Sequence, residues 1–521
     1  GNIAYTHTDA HAIQRADNLS GIGIATLRSP PNFNPDPLFH PETGLHRSYR
    51  YQSASRTKEL KRTRGFDNPY WIMYEHKNPN TVIRLNGYIK AQYDLTDWIT
   101  LDYHLGADVI TDERANILPP STSREGGLGR ILKSVITRQE IDQNVVATIQ
   151  GEKFLGGINF IDAIALIGMN HNIRMKNELN AGGLDMGVPE GFDQIDNTVQ
   201  KTVDEYQWQR NIEAFFGQLT IDLFDQFYIT VALRNDGSST FGAAQKRHLY
   251  PKASLAWDFS KALPLPLINF GKLRVAYGVS GVQPGVYTTI SAYKAASEGH
   301  GNYTNATLAQ TGKYMGKSGF RHSTNLGNDA IKPERTEETE FGIDLSAFNS
   351  RLGIEATYYD QLTTDVIFDL NVAPSTGAFS QTKNAATITN KGVELSVNLT
   401  PVRQRGFVWD LGLIYAANRN KVTDMSGATW EGLGAHAYAM AGQPLGVIRQ
   451  QSWLRFGYDA YYDLDGDDVK ENIDSVYAGQ WNKYDVYVGA DGKPVMADED
   501  LLTPFASNPK WSGSIRNELT L

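Results

Sequence analysis

Apolar and polar residues alternate with a period of two along most of the chain. In Phe227-Tyr228-Ile229-Thr230-Val231-Ala232-Leu233-Arg234 the odd positions are large and apolar, and the even ones are polar or small. Successive side chains of an extended strand point to opposite faces, so one face of this segment meets something apolar and the other something wet. The split recurs in Leu219, Ile221 and Leu223 against Gln218, Thr220 and Asp222, and in Leu85, Ile89, Ala91 and Tyr93 against Asn86, Tyr88, Lys90, Gln92 and Asp94. It returns in Leu273, Val275, Tyr277 and Val279, in Leu352, Ile354 and Ala356, and in Val393, Leu395, Val397 and Leu399. Helical periodicity is scarce. The pattern predicts an all-β chain with roughly sixteen segments of about 8 to 12 residues, the span a tilted strand needs to cross a bilayer.

Soluble β-proteins also alternate, so a two-sheet sandwich or a propeller fits the pattern as far as it goes. No fixed repeat period supports the propeller. The polar face separates these readings, because Lys90, Asp94, Asp222, Arg234, Asp344, Glu355 and Asp410 sit in mid-segment, where a wet lumen accommodates charge. The connections are also of two kinds. Asp225-Gln226 and Asn349-Ser350 are short, whereas 112–143, 175–205, 283–333 and 424–509 read as long polar loops. Such asymmetry is expected of an outer-membrane barrel, whose long loops face outward. Trp71, Trp98, Trp257, Trp409, Trp453 and Trp511 near segment ends fit interfacial girdles, and equally fit packing beside turns.

Composition narrows the class. The 521 residues carry 49 basic against 58 acidic side chains, a net charge of -9, which argues against a nucleic-acid partner. No apolar run approaches the roughly 18 residues of a spanning helix, which excludes a helical membrane protein. Gly1 to Tyr5 lacks the basic and apolar regions of a signal peptide, so none is expected in this sequence. The chain has no cysteine, so disulfides and thiolate chemistry are excluded, and this fits a periplasmic or outer-membrane setting.

Particular strings are more specific than the pattern. Leu233-Arg234-Asn235-Asp236-Gly237-Ser238-Ser239-Thr240-Phe241-Gly242 followed by Tyr250-Pro251-Lys252-Ala253-Ser254-Leu255-Ala256-Trp257 resembles a signature hairpin of the SusC/RagA-type TonB-linked (TonB-dependent) outer-membrane transporters. Asp236-Gly237 reads as its turn. Lys272 to Gly281, Lys332-Pro333-Glu334-Arg335-Thr336 with Gly342-Ile343-Asp344, Tyr358-Tyr359-Asp360, Asn390-Lys391-Gly392, Gly442-Gln443-Pro444 and Asn508-Pro509-Lys510-Trp511 follow in the family's order. The resemblance covers nearly the whole chain. It implies a transmembrane antiparallel β-barrel, with residues 1–521 forming part of a barrel of about 22 strands. It further implies that the signal peptide, N-terminal sandwich domain, plug domain and last strands lie outside this sequence.

Candidate chemistry is sparse. Asp463, Asp465 and Asp467, with Asp474 behind, place acidic oxygens at the alternate spacing of a Ca²⁺ loop, but Asp468 stands where an EF-hand needs glycine. A solvated acidic turn is the alternative. His7, Asp9 and His11 share a spacing that would suit a metal only on a helix, and Asn2 to Thr8 reads as strand. No nucleophile elbow, phosphate loop or isolated carboxylate pair points to an enzyme. Tyr287, Tyr293, Tyr303, Tyr314 and Phe320 crowd the 283–333 loop and could stack on sugar rings or on a partner, or pack on themselves.

The expectation is therefore TonB-dependent active import of a nutrient, an oligosaccharide or oligopeptide, across the outer membrane of a Gram-negative bacterium. The resemblance implies a SusD-like surface lipoprotein and the TonB complex as partners, alongside outer-membrane lipid. The alternatives are a secreted soluble β-protein that binds or cleaves carbohydrate, and a passive porin.

Overall fold

The computed structural model describes the chain outside residues 15–17, 43, 45, 50–65, 124–126, 152–160, 187–191, 264, 296–312, 315–316, 319, 429, 435–436, 449–452, 458–460, 463–470, 479, 483–484, 490–491 and 497–507. The long strands are β1 (Asn2–His11), β2 (Pro79–Thr96), β3 (Ile99–Leu118), β4 (Arg130–Gln150), β5 (Ile161–Met186), β6 (Thr198–Leu223) and β7 (Phe227–Ser238). They continue with β8 (Arg247–Asp258), β9 (Ile268–Val282), β10 (Glu334–Ala347), β11 (Leu352–Asn371), β12 (Ser380–Gln404), β13 (Phe407–Asp424) and β14 (Trp511–Thr520). All fourteen lie in one sheet in sequence order, and the two-residue strand Asn325–Leu326 adds to it beside β12. Among the described residues that makes 15 strands against roughly sixteen expected. Several are far longer than expected, with β5 and β6 reaching 26 residues each. Stretches 112–143 and 175–205, expected as loops, are largely strand, because alternation weakens once both faces of a long strand are polar.

Chain packing separates two compact units: residues 1–148 with 168–214, and residues 149–167 with 215–521. In the second unit the ladders align apolar side chains into a row through Ile229, Leu255, Val275, Phe341, Tyr358, Val393, Ala417 and Trp511. Leu255, Phe341, Tyr358, Val393 and Trp511 in this row are exposed. A continuous apolar face left uncovered is unstable in water and suits hydrocarbon. One residue along, the polar row carries Arg274, Gly342, Thr357 and Glu394. In the first unit β2 pairs Leu85 with Val109 and Ile89 with Leu105 on one face, and Arg84, Asn86 and Lys90 occupy the other.

Turn chemistry differs between the two ends of the strands. Short reversals link β6 to β7 and β10 to β11, with left-handed φ at Phe224, Asp225, Phe348, Asn349 and Ser350. The expected turn at Asp236-Gly237 is not one: both residues are in β7, paired with His248 and Arg247, and Asp236 accepts a 2.6 Å bond from Arg234. The reversal is made instead by 239–246. Two assigned girdle residues also move, since Trp71 is buried in the β1–β2 connection and Trp453 lies in the β13–β14 connection.

Buried apolar clusters in the described residues sit mainly in and beside the long connections. Val366, Ala386, Ile388, Val422 and Met425 form one, and Leu454, Phe456, Ile473 and Tyr487 another. Between the strands, two glycines let large polar side chains lie flat on the sheet. A Cβ on Gly342 would stand 2.4 Å from Arg274 Nε, and one on Gly392 would stand 2.3 Å from the Tyr359 ring and 2.7 Å from the Ala417 carbonyl oxygen.

Two outcomes follow for the full-length protein. Ile229→Arg places a charge on the apolar face at a cost of up to about 2–4 kcal/mol, so it lowers membrane insertion while Thr230→Arg does not; heat-modifiable electrophoresis of membrane fractions reads the difference. Gly342→Val lowers thermal stability by about 1–3 kcal/mol through overpacking. Gly278→Ala, where an added Cβ meets nothing within 4 Å, leaves the unfolding temperature near that of the parent.

Candidate functional site

The polar strand faces carry most of the chemistry. In the second unit Arg274 on β9 reaches across Gly342, donating from Nη2 to Thr357 Oγ1 at 2.8 Å and lying 3.5 Å from both Asp344 and Glu355. Beside it is a cavity of about 530 Å³ lined by Arg274, Glu338, Glu340, Glu355, Tyr359 and Glu394, among others. Four carboxylates face one guanidinium there. A directional amide relay crosses the same wall: Asn418 Nδ2 donates to Asn390 Oδ1 (3.4 Å), Asn390 Nδ2 to Gln361 Oε1 (3.1 Å), and Gln361 Nε2 to Glu338 Oε2 (3.0 Å). Each amide spends its donor on the next acceptor, so the relay ends at a carboxylate.

The first unit repeats the theme. Arg84 grips Asp108 through two bonds of 2.9 and 2.8 Å, and Lys90 lies 3.2 Å from Asp102. Asn172 donates to Glu140 (2.8 Å) and Asp142 (3.1 Å), Asn170 donates to Asp142 (3.0 Å), and Arg174 pairs with Glu140 at 2.7 Å. Toward the long connections lies a more apolar cavity of about 660 Å³, lined by Ile13, Pro79, Leu132 and Ala181 together with Asn116 and Asn180, among others. These walls can hydrate and hydrogen-bond a passing polar solute.

A second concentration of polar groups lies off the strands, where the β1–β2 connection meets the β3–β4 connection. The β1–β2 connection folds around α1 (Ile22–Arg28) and α2 (Pro69–Glu75), with Ala25, Phe66 and Ile72 buried between them. Asn68 caps α2 by accepting from Tyr70 N (2.8 Å), and its amide donates to the carbonyls of Pro35 and Arg47. Beside it Asp67, fully buried, accepts from Thr122 Oγ1 (2.9 Å) and Ser123 N (2.5 Å). His46 Nε2 lies 3.3 Å from one Asp67 oxygen and His76 Nε2 3.5 Å from the other. Trp71 stacks on His46 at 4.4 Å and meets His76 edge-on at 4.8 Å. Ser121, at φ 86°, accepts from His46 N and contacts His46 Nδ1, both at 2.8 Å. Burial pushes His46 down to about 4, although the Asp67 charge opposes this. The line Ser121–His46–Asp67 resembles a hydrolytic triad only in composition, because Ser121 is buried and its oxygen accepts the His46 N–H.

The side chains singled out from the sequence are only partly brought together. Tyr287 is half-exposed with φ 62°, and Tyr293 lies against His322 with centroids 4.4 Å apart. Phe320 pairs through its backbone with Ala295, in the same small ladder as Tyr293. Tyr314 lies in the ladder Lys313–Tyr314 with Lys317–Ser318. The side chains of Tyr314 and Phe320, and all of Tyr303, lie outside the described residues, as do Asp463, Asp465 and Asp467. Asp474 accepts from Gly457 N at 2.8 Å. Sequence reasoning missed His46, Asp67 and His76, which no periodicity links. The Asn68-Pro69 helix start was the nearest local signal.

Comparison with known proteins agrees with the two-faced sheet. Residues 9–503 match the family described as TonB dependent receptor-like, beta-barrel. TonB-dependent receptor P26 of Formosa agariphila is 33% identical over 222 residues, covering 42% of this chain and 21% of that protein. TonB-dependent receptor SusC of Bacteroides thetaiotaomicron is 22% identical over 393 residues, 71% of this chain and 37% of that one. The RagAB peptide importer in its closed-closed state shares the fold at a TM-score of 0.69 and 17% identity, covering 99% of this chain and 54% of that one. The chain spans about half or less of the length of these relatives. Its family match over most of its length, on a sheet apolar on one face and charged on the other, makes it a member of the TonB-dependent receptor β-barrel family.

Proposed function

We propose that this chain forms barrel wall in a transporter that imports a nutrient, an oligosaccharide or oligopeptide, across the outer membrane of a Gram-negative bacterium. The observation that carries this reading is the division of one sheet into an unbroken apolar row and a polar wall bearing Arg274, Glu340, Glu355 and Glu394. A soluble sandwich would cover such a row, and a barrel turns it to lipid. In the full-length protein, energy comes from the TonB complex, and a SusD-like surface lipoprotein covers the long connections. The likeness to SusC and to the RagAB fold supports both partners. Loops as long as 283–333 and 425–510 are uncommon unless they bind something.

Part of the loop aromatic content is spent internally. Trp430 meets Tyr438 edge-on at 5.4 Å, and Trp481 stacks on Phe456 at 5.3 Å. Trp453 and Tyr293 stay exposed, the latter beside His322.

Purified from its native membrane, the full-length protein brings a surface lipoprotein with it, through an interface well above roughly 1,000 Å². Deleting residues 291–317 weakens that association or nutrient uptake, and uptake collapses in cells lacking TonB. A lone barrel with uptake unchanged by the deletion removes the lipoprotein from this reading, and uptake independent of TonB makes the protein a passive porin.

A further inference from the structure

We propose that His46, Asp67 and His76 form a proton-responsive clasp, which holds the β1–β2 connection on the β3–β4 connection at neutral pH and loosens in acid. The cluster joins residues far apart in the chain: His46, Asp67, Trp71 and His76 from one connection, Ser121, Thr122 and Ser123 from the other. The imidazole rings of both histidines and the carboxylate between them are closed off from water.

The hydrogen bonds dictate the proton inventory. A hydroxyl has one donor and two acceptor sites. Nε2 faces the Asp67 carboxylate at 3.3 Å, where a lone pair would meet negative charge, so the His46 ring proton sits on Nε2. Nδ1 then accepts the hydrogen of Ser121 Oγ, which itself accepts from His46 N. The carboxylate accepts from Ser123 N on one oxygen and Thr122 Oγ1 on the other, with His46 Nε2 3.3 Å from the first and His76 Nε2 3.5 Å from the second. Two hydrogen bonds and two flanking imidazoles thus surround one buried anion, with His46 neutral.

A second proton on His46 breaks this arrangement. It would put N–H on Nδ1 against a Ser121 hydroxyl that must turn its hydrogen away, inside a closed site. Among the described residues, the charged and titratable groups facing His46 are Asp67, which favours the cation, and His76 and His40, which oppose it; Trp71 is uncharged. Arg47, next in the chain, is turned elsewhere, donating to the Asp36 carbonyl at 2.9 Å with its guanidinium over the Phe33 ring. Burial outweighs the Asp67 attraction, so the closed clasp takes this proton only near pH 4. Released into water, His46 takes it near its ordinary 6.5. Between those values the open form binds more protons than the closed one, so the clasp weakens as pH falls and is insensitive above about 6.5. Between about pH 7.5 and 4.5 the closed-to-open ratio therefore falls by roughly 70-fold.

These 521 residues hold no cysteine, so an introduced pair is labelled specifically once any cysteine elsewhere in the full-length protein is replaced by serine. Leu27 on α1 and Leu128 in the β3–β4 connection are both exposed and serve as sites in the full-length protein. With Leu27→Cys and Leu128→Cys labelled, dipolar spectroscopy at about pH 7.5 shows one narrow distance, which broadens and lengthens at about pH 4.5. Adding His46→Gln, which cannot take up a proton, keeps the distance narrow at both values. Adding Asp67→Asn, which removes the central anion, broadens it at both. An unchanged distribution in the parent pair across this range overturns the clasp, and so does a full acid response retained by His46→Gln. Transport is not read in this measurement, so failure of the import reading and failure of the clasp are told apart.

Discussion

Backbone pairing in hydrocarbon is the constraint on which the rest of this structure depends. Inside a bilayer no water is present to hydrogen-bond an N–H or C=O, and each orphan group costs several kcal/mol. A sheet meets that demand by ladder bonds between neighbouring strands, and sequential antiparallel order from β1 to β14 supplies them with short reversals at one end. Once the backbone is committed in this way, the period of two leaves each strand one choice: which parity faces lipid. The rows through Val275, Phe341 and Tyr358 and through Arg274, Gly342 and Thr357 are the two answers, one residue apart. A register slip by one residue would exchange them, which is why the ladder and the faces enforce one another.

The polar wall is held by contacts that bind wall residues to each other. Arg274 is tied to Thr357 beside Asp344 and Glu355, and Asn170 and Asn172 converge on Asp142. Such pairs are only partly buried and individually contribute modestly, on the order of 1 kcal/mol. Their consequence is geometric: they hold long side chains against the sheet, and at Gly342 and Gly392 the missing Cβ makes the room. A wall built this way offers hydrogen-bonding groups without closing the path.

Above the strands the physics changes, because the connections are free of the lipid and must build their own cores. Phe456 packs against Trp481, Tyr477 and Tyr487, and Ala25 against Ile72 and Phe66. The clasp around Asp67 is the polar counterpart of these clusters. Asp67 belongs to one connection and its hydrogen-bond donors, Thr122 and Ser123, to another, so the same contacts that solvate the charge also join the segments.

The sequence by itself determined the class of fold, its two-faced strands, the short reversals near Asp225 and Asn349 and the family strings around Arg234, Gly342 and Gly392. These are local, since strand alternation acts between adjacent residues and a turn within a few. The tertiary structure decided what depends on partners distant in the chain. It carried β3 through β6 beyond their expected limits, placed Asp236 and Gly237 within a strand, drew Trp71 into a core, and brought His46, Asp67 and His76 against Ser121, Thr122 and Ser123. A buried charge needs donors from wherever the chain returns, and no spacing within a single segment encodes where that will be.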